Sequence, residues 1–266
     1  MKFIHITDLH LVPEGEKLWG LDPLARLNLC LADIAAHHAD AAFCVISGDL
    51  TERGDVESYK ALEACLRDFK IPVHLMMGNH DIRLNFKAVF GEGDENGFVQ
   101  KHWALHGQHF ICLDTLKGGA SSAGLLDDAR RTWLRAALEK AAGAPTFIFM
   151  HHPPFAIHHP LMDLIPLEDG EGFGDLLSDH NVRHIFFGHA HRIISGQWRG
   201  ISFSALPSLN HQLPLVGGSV QTVYSDEPPM YSVVHRNGTQ ITVHSDAFLH
   251  RARVDMPEDA ERGNWS

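Results

Sequence analysis

The 266-residue sequence lacks long apolar runs, and no stretch approaches the roughly 20 apolar residues that a membrane-spanning helix needs. Its first residues, from Met1 to Asp8, reach charged side chains too early for the apolar region of a signal peptide. None of the four cysteines forms a C-x-x-C pair, which argues against a zinc ribbon or a thioredoxin-type motif. We therefore expect a cytoplasmic protein with reduced, buried thiols and no membrane partner.

Basic residues are also few, since 22 Lys and Arg stand against 33 Asp and Glu, for a formal net charge of -11. A surface for long nucleic acid needs clustered cations, so this balance argues against such a partner. Histidine, in contrast, is abundant, with 21 residues. Imidazole is the commonest metal ligand in proteins, so this count makes metal chemistry a serious candidate, although most of the histidines are expected at the surface.

Short apolar runs alternate with amphipathic helical patterns along most of the chain, which is typical of an α/β fold. The predicted strands cover residues 3–7, 41–46, 73–77, 110–114, 145–150 and 182–187, and β-strands and hairpins are predicted in 194–205 and 220–244. One predicted helix begins at Pro23, and others cover residues 56–69, 82–90 and 125–142, with a shorter one at 173–180. No linker divides the chain. We predict a single domain over residues 1–250, with a β-rich C-terminal part from about residue 194, and a tail over 251–266.

Polar side chains follow five of the predicted strands. These side chains are Asp8 and His10, Asp49, Asn79 and His80, His151, and His189 and His191. Ligands of open α/β sheets bind at the carboxyl ends of the strands, so the five strand ends are expected to form one site. The set offers only oxygen and nitrogen donors and exceeds what one divalent ion needs, which favours two ions that share a carboxylate. Mixed imidazole and carboxylate ligands suit zinc, iron or manganese.

This series of motifs resembles the metallophosphoesterase (calcineurin-like) superfamily. The resemblance is carried by Asp8-x-His10, Gly48-Asp49, Gly78-Asn79-His80-Asp81, His151 and Gly188-His189-Ala190-His191, and it spans about residues 3–191 in the family's order. Within the superfamily the chain looks most like the class III cyclic-nucleotide phosphodiesterases and their glycerophosphodiesterase relatives. Glu52 and Asp81 stand where protein Ser/Thr phosphatases characteristically carry Asp and Glu, and Met150 replaces the usual Gly before the fourth motif. The first two differences weaken the protein-phosphatase branch.

The resemblance implies a two-sheet α-β-β-α sandwich with a dinuclear metal site at strand ends. The first metal would be held by Asp8, His10, Asp49 and His191, the second by Asn79, His151 and His189, with Asp49 bridging. His80 would be no ligand but would donate a proton to the leaving group or stabilise charge.

The implied activity is hydrolysis of small phosphodiesters, cyclic nucleotides foremost, by a hydroxide that bridges two divalent ions of manganese, iron or zinc. Glycerophosphodiesterase and broad-specificity phosphomonoesterase activities are the alternatives, and a non-catalytic binding module is a remote one. The β-rich C-terminal part is a candidate surface for a homodimer by analogy alone.

Several nearby residues keep two interpretations at this stage. Asp81 either orients His80 or caps a turn, and His152 is either a partner of a ligand or a ligand itself. His211 follows the core on a loop and is a candidate for contact with substrate. Residues 11–20 and 155–172 are the expected walls of the substrate pocket, the second of them as a lid.

Overall fold

The computed structural model describes residues 1–215 and 223–251. Its strands in chain order are β1 (Lys2–Ile6), β2 (Cys44–Ile46), β3 (Val73–Leu75), β4 (Lys101–Leu105), β5 (Gln108–Cys112), β6 (Thr146–Met150), β7 (Val182–Phe187), β8 (Ile194–Trp198), β9 (Ile201–Ala205), β10 (Tyr231–Asn237) and β11 (Gln240–Asp246). Its α-helices are α1 (Pro23–His37), α2 (Val56–Leu66), α3 (Arg83–Phe90), α4 (Asp128–Ala141) and α5 (Gly170–Leu177). Two short 3-10 helices cover Met162–Leu164 and Phe248–His250.

The strands form two mixed sheets. The first sheet has the order β11-β10-β1-β2-β3, and the second has the order β4-β5-β6-β7-β9-β8. In the first sheet β1, β2 and β3 are parallel, and in the second β5, β6, β7 and β9 are parallel. The carboxyl ends of the parallel strands within each sheet therefore lie along one edge, which is where the predicted ligands follow them.

Aromatic side chains fill the space between the sheets. Phe3 and Phe43 from the first sheet stack with their ring centroids 4.8 Å apart, and the edge of Phe3 packs against Phe149 and Phe186 of the second sheet. All four are almost fully buried. Because burying such a side chain stabilises the folded state by about 1.5–3 kcal/mol, this layer holds the two sheets face to face.

Helices cover the outer face of each sheet. Alternate residues of β1, such as Ile4, point away from the aromatic layer and pack against α1 and α2, for example against Leu27 and Leu62. On the second sheet Ile148 packs in the same way in a cluster with Leu134 of α4. The predicted α-β-β-α sandwich is confirmed by this layering.

Several sequence-based predictions of element boundaries were wrong, including the helix predicted over 173–180, which covers Gly170–Leu177. The helix predicted over 56–69 ends at Leu66. Strand β4 is not predicted at all, because its short, half-exposed sequence lies at the edge of the sheet. The β-structure predicted over 220–244 begins only at Tyr231 beyond one isolated bridge, since Pro228 and Pro229 lack the N–H groups that a strand ladder uses.

Two further predictions lie partly outside the described residues. Of the predicted tail, only Arg251 is described, and the start of the 220–244 prediction falls in the undescribed segment 216–222. The single-domain boundary at residue 250 stays a prediction. None of the helices in residues 1–215 and 223–251 is both long and apolar enough to span a membrane.

Candidate metal centre

The seven predicted metal ligands meet where the two sheets face each other. Asp8, Asp49 and Asn79 follow β1, β2 and β3, while His151 follows β6 and His189 follows β7. Asp8 Oδ1 lies 3.4 Å from His191 Nε2, and Asp49 Oδ2 lies 3.4 Å from His151 Nε2. All except the half-buried Asn79 are buried. The structure thus brings together side chains from five strand ends that are far apart in the sequence.

Five of these residues have a left-handed backbone conformation, which is uncommon for residues other than glycine. Their φ values are 53° for Asp8, 48° for His10, 46° for Asp49, 68° for His189 and 49° for His191. Main-chain hydrogen bonds hold the conformation, since the Asp8 N–H donates to Gly48 O at 3.1 Å and the His10 N–H donates to Asp49 O at 2.9 Å. Such conformations cost about 1–3 kcal/mol each and cluster at functional sites, which marks these strand ends as a site.

Asp49 stands between two groups of donors. In the first group, one donor atom each from Asp8, His10, Asp49 and His191 lies within 4.8 Å of the others. In the second group, Asn79 Oδ1 lies 3.2 Å from His151 Nε2 and 2.9 Å from His189 Nδ1. Asp49 Oδ2 is 3.7 Å from His10 Nε2 and 3.4 Å from His151 Nε2. Its carboxylate therefore touches both groups, as a bridging ligand would.

Each imidazole of the cluster has one nitrogen bonded to a protein oxygen. His151 Nδ1 donates to Ser47 O at 2.9 Å, and His191 Nδ1 donates to His211 O at 2.8 Å. His189 Nε2 donates to Ile165 O at 3.1 Å. His10 Nδ1 lies 2.7 Å from a carboxylate oxygen of Glu52.

The carbonyl and carboxylate oxygens that accept these hydrogen bonds carry no hydrogen, so the bonded nitrogen of each ring carries the proton. The opposite nitrogen of each ring is left without a proton and faces the cluster. The donor set and its tautomers fit two divalent ions.

The protonation states of the cluster agree with the binding of divalent cations. Burial lowers the pKa of His189 to about 3 and holds the pKa of His10 well below its ordinary value, so both rings are neutral and able to bind a metal. Burial also opposes protonation of His151, but Asp49 and Asp8 outweigh it and raise the pKa of His151 to about 9. The carboxylates thus favour a positive charge beside His151 Nε2, which a bound cation would supply in place of the proton.

His80 lies at the rim of the cluster with about a third of its side chain exposed. Its main-chain N–H donates to Asp49 Oδ1 at 2.9 Å, and its ring Nδ1 donates to Glu52 O at 2.9 Å. Burial lowers the pKa of His80, but Asp49 and Glu52 outweigh burial and raise it overall. His80 Nε2 is therefore the nitrogen left for a ligand in the cavity.

Glu52 is a site residue that sequence reasoning missed. Besides its contact with His10, its carboxylate lies 3.6 Å from His80 Nδ1. Its sequence signal is its place three residues after Asp49 in the same loop, at a position where protein Ser/Thr phosphatases characteristically carry Asp. Glu52 therefore connects a predicted ligand to the predicted proton donor.

The two interpretations of Asp81 are decided by its contacts. The carboxylate accepts hydrogen bonds from the main-chain N–H groups of Leu50, Thr51 and Gly78 and from the Tyr59 hydroxyl. It thereby ties the loop after β2 to the turn after β3. Asp81 is a structural anchor of the turn that carries Asn79 and His80.

Two other histidines border the cluster. His152 is buried, and its Nδ1 shares a hydrogen bond of 2.8 Å with the Thr115 hydroxyl. Its ring centroid lies 4.7 Å from that of His189. His152 also offers a ring nitrogen within 4.8 Å of nitrogens of His151 and His189, so both interpretations of His152, as a partner of a ligand and as a ligand, stay predictions. The His211 ring lies 4.8 Å from the rings of both His10 and His191, at the wall of the site.

A cavity of about 280 Å³ opens above the cluster. Its floor includes His10, Asp49 and Asn79. The predicted lid, residues 155–172, supplies part of its wall through Leu161, Met162 and Ile165; the remaining wall includes Ser122, His211, Leu213 and Tyr224. The described lining contains no Lys or Arg, so it offers a phosphate ester no side-chain cation other than histidine.

Known proteins resemble the chain over nearly its whole length. Residues 1–192 match the profile of a family described as calcineurin-like phosphoesterase. A "probable cyclic nucleotide phosphodiesterase" of Rhodopseudomonas palustris is 36% identical over 258 residues, covering 94% of this chain and 93% of that protein. "Glycerophosphodiester phosphodiesterase GpdQ" of Enterobacter lignolyticus is 28% identical over 285 residues, covering 98% and 99%.

Among solved structures, a dimetal phosphatase of Danio rerio superposes with a TM-score of 0.70 at 14% identity, covering 92% of this chain and 95% of that one. A purple acid phosphatase of yellow lupin superposes with a TM-score of 0.68 at 13% identity, covering 96% of this chain and 52% of that one. At these identities the two structures show a shared fold.

Proposed function

The chain belongs to the calcineurin-like phosphoesterase family, and on that premise we propose that it is a metal-dependent phosphodiesterase of small phosphodiesters, cyclic nucleotides foremost. One observation carries the proposal: imidazole nitrogens and carboxylates from five strand ends converge at the floor of a cavity with their tautomers fixed. The similarity to phosphodiesterases of Rhodopseudomonas palustris and Enterobacter lignolyticus, as those proteins are named, supports the diester class.

Two divalent ions would be held by the two donor groups described above. Asp8, His10 and His191 belong to the first, Asn79, His151 and His189 belong to the second, and Asp49 belongs to both. When bound, such a pair of ions activates water and neutralises charge on the phosphoryl oxygens. Manganese, iron and zinc all suit imidazole and carboxylate donors, and we propose one of these for each position.

His80 supplies the proton that the leaving group requires. The alkoxide of an unactivated diester is a poor leaving group, so its departure is accelerated by a proton donor within hydrogen-bond reach. The bond from His80 Nδ1 to Glu52 O fixes the ring and leaves Nε2 at the cavity, and Asp49 and Glu52 favour its protonated form. His80 is therefore placed and charged as a general acid.

Glycerophosphodiester hydrolysis is the second candidate, because the GpdQ relative matches 98% of this chain. Phosphomonoesterase activity is less favoured. A monoester carries an additional negative charge, and the described cavity lining provides no Lys or Arg to bind it. A homodimer and a cytoplasmic location stay predictions of the sequence.

The proposal is tested by hydrolysis assays with manganese, zinc or iron on 3′,5′- and 2′,3′-cyclic nucleotides, glycerophosphodiesters and monoesters. We expect metal-dependent turnover that is highest on a diester and is lost after chelation. Equal activity with and without metal, or activity confined to monoesters, would contradict the proposal.

A further inference from the structure

Trp19 lies at the tip of a two-residue turn near the mouth of the cavity. The main chains of Leu18 and Leu21 exchange two hydrogen bonds of 2.9 Å across this turn. Trp19 has a φ of 55° and Gly20 a φ of 82°, which is the pattern of a turn that favours Asn, Asp or Gly at both positions. Trp19 also keeps 58% of its surface exposed. A bulky residue in a strained conformation with little burial is not explained by stability.

Tyr224 is the neighbour of Trp19 and belongs to the cavity wall. The two ring centroids are 4.8 Å apart with the planes tilted by 34°. Main-chain bonds of 2.9 and 3.0 Å between Gln212 and Ser225 hold the segment that carries Tyr224. The aromatic pair is therefore fixed on two separate parts of the chain.

His211 connects this pair to the metal centre. Its ring centroid lies 4.4 Å from that of Tyr224 and 4.8 Å from those of His10 and His191. A continuous row of rings thus runs from two predicted metal ligands to the exposed side chain of Trp19. A group that contacts the outer rings would lie at the mouth of the cavity whose floor includes the donors that would bind the phosphate.

Given the phosphodiesterase function proposed above, on which this inference rests, we propose that Trp19 and Tyr224 form a stacking surface for the nucleobase of the substrate. The substrate class is then a nucleoside phosphodiester, with its phosphate at the metal centre and its base on the aromatic pair. Every base has a π face, so stacking of this kind tolerates different bases. Glycerol diesters have no planar group to place there.

A quaternary ammonium group, as in a choline ester, fits this surface less well. The faces of Trp19 and Tyr224 pack against each other and leave no space for a cation between them. The carboxylates next to Tyr224, those of Asp226 and Glu227, are already paired with Arg26 and Arg192. A flat base needs only an accessible ring, and Trp19 keeps 58% of its surface exposed.

The kinetic test uses Trp19→Gly, which removes the ring and also relieves the left-handed strain, so its fold should be retained. We expect kcat/KM for 3′,5′-cyclic AMP to fall about 10-fold, mainly through KM, because base stacking contributes on this order. The value for glycerophosphoethanolamine should stay within about twofold. Trp19→Phe should recover most of the loss, and Leu29→Ala, an exposed apolar side chain on α1, serves as the matched control.

A binding test separates this inference from the proposed function. Titration of the metal-loaded protein with adenosine 5′-monophosphate should quench tryptophan fluorescence in the wild type but not in Trp19→Phe, and glycerol 3-phosphate should quench neither. If the wild type hydrolyses no diester, the proposed function is wrong. The titration still tests the stacking surface in that case, because it measures binding and needs no turnover.

The stacking surface is refuted by equal losses on both substrates in Trp19→Gly, by no loss on cyclic AMP, or by equal quenching in Trp19→Phe. A loss confined to glycerophosphocholine would assign the pair to a quaternary ammonium group instead and would also overturn the proposal.

Discussion

Glu52 should control the metal affinity of the centre through His10. Its carboxylate lies 2.7 Å from His10 Nδ1, so it fixes the ring with Nε2 facing Asp49 and makes that nitrogen more basic. Removing such a partner of a metal-binding imidazole typically costs about 10–100-fold in metal affinity or activity. We expect Glu52→Gln, which keeps an acceptor but loses the charge, to lower the affinity for the first ion about 10-fold. Glu52→Ala should lower this affinity by up to about 100-fold.

The assay is a competition between the protein and a chromophoric chelator for manganese or zinc, read as two binding steps. Among the described residues, the Glu52 carboxylate bonds a ligand of the first group and none of the second, so the weaker binding should appear in one step and leave the second unchanged. Glu16→Gln is the matched control, since Glu16 carries the same charge and its only described ion pair is an exposed one with Arg53 at 3.1 Å.

Circular dichroism and the melting temperature should be the same in all variants before metal is added. Unchanged affinity in Glu52→Ala, or an equal loss at both steps, would refute the positioning role of Glu52.

Two other substitutions test separate parts of the proposal, and a third tests the effect of a buried histidine on stability. Asp49→Ala should abolish both metal-binding steps and the activity because its carboxylate touches both donor groups, and retention of either step would remove its bridging role. His80→Ala should keep both metals but slow diesters with alkoxide leaving groups far more than activated aryl diesters, whereas equal slowing would exclude a proton donor. His184, buried beside Ser204 away from the site, has its pKa lowered by burial to about 4 from an ordinary 6.5. Below pH 6.5 His184 therefore binds a proton in the unfolded chain but not in the folded protein. The free energy of unfolding should fall by at most about 1.4 kcal/mol per pH unit down to about pH 4. His184→Gln should lack this component in urea titrations, and identical pH profiles of wild type and variant would contradict the burial argument.

The predicted ligands could be located from sequence because each follows a short apolar run, bounded by polar residues and glycine, of the kind that is typical of a buried strand. Asp49 after β2 and His151 after β6 are of this kind, and the structure places their atoms 3.4 Å apart. The sandwich itself followed from the resemblance and is confirmed by the alternation of Phe3 and Ile4 between the inter-sheet and outer layers. Local pattern and motif order suffice for such features.

Contacts between loops could not be predicted in the same way. Nothing near Trp19 in the sequence indicates that Tyr224 packs on its ring, because that contact depends on how two distant loops cross the edge of the sheets. The role of Ile165 is also invisible, since it acts through its carbonyl oxygen, which every residue has. Tertiary placement, and not residue type, gives these positions their function.

The way in which the imidazole rings are held makes Glu52 a special position. His151, His189 and His191 each donate to a main-chain carbonyl, from Ser47, Ile165 and His211. A side-chain substitution cannot remove those acceptors, so the orientation of these three rings is a property of the fold.

The fourth ring, His10, is the exception, because its acceptor is the side chain of Glu52. A carboxylate polarises a ring more strongly than a carbonyl does, so Glu52 makes the cluster-facing nitrogen of His10 a stronger donor than a neutral acceptor would. Exchange of Glu52 for a neutral acceptor would remove this effect from His10 and leave the other three rings unchanged. The first ion should then bind more weakly while the affinity for the second stays unchanged, a difference that the two-step titration of Glu52→Gln measures directly.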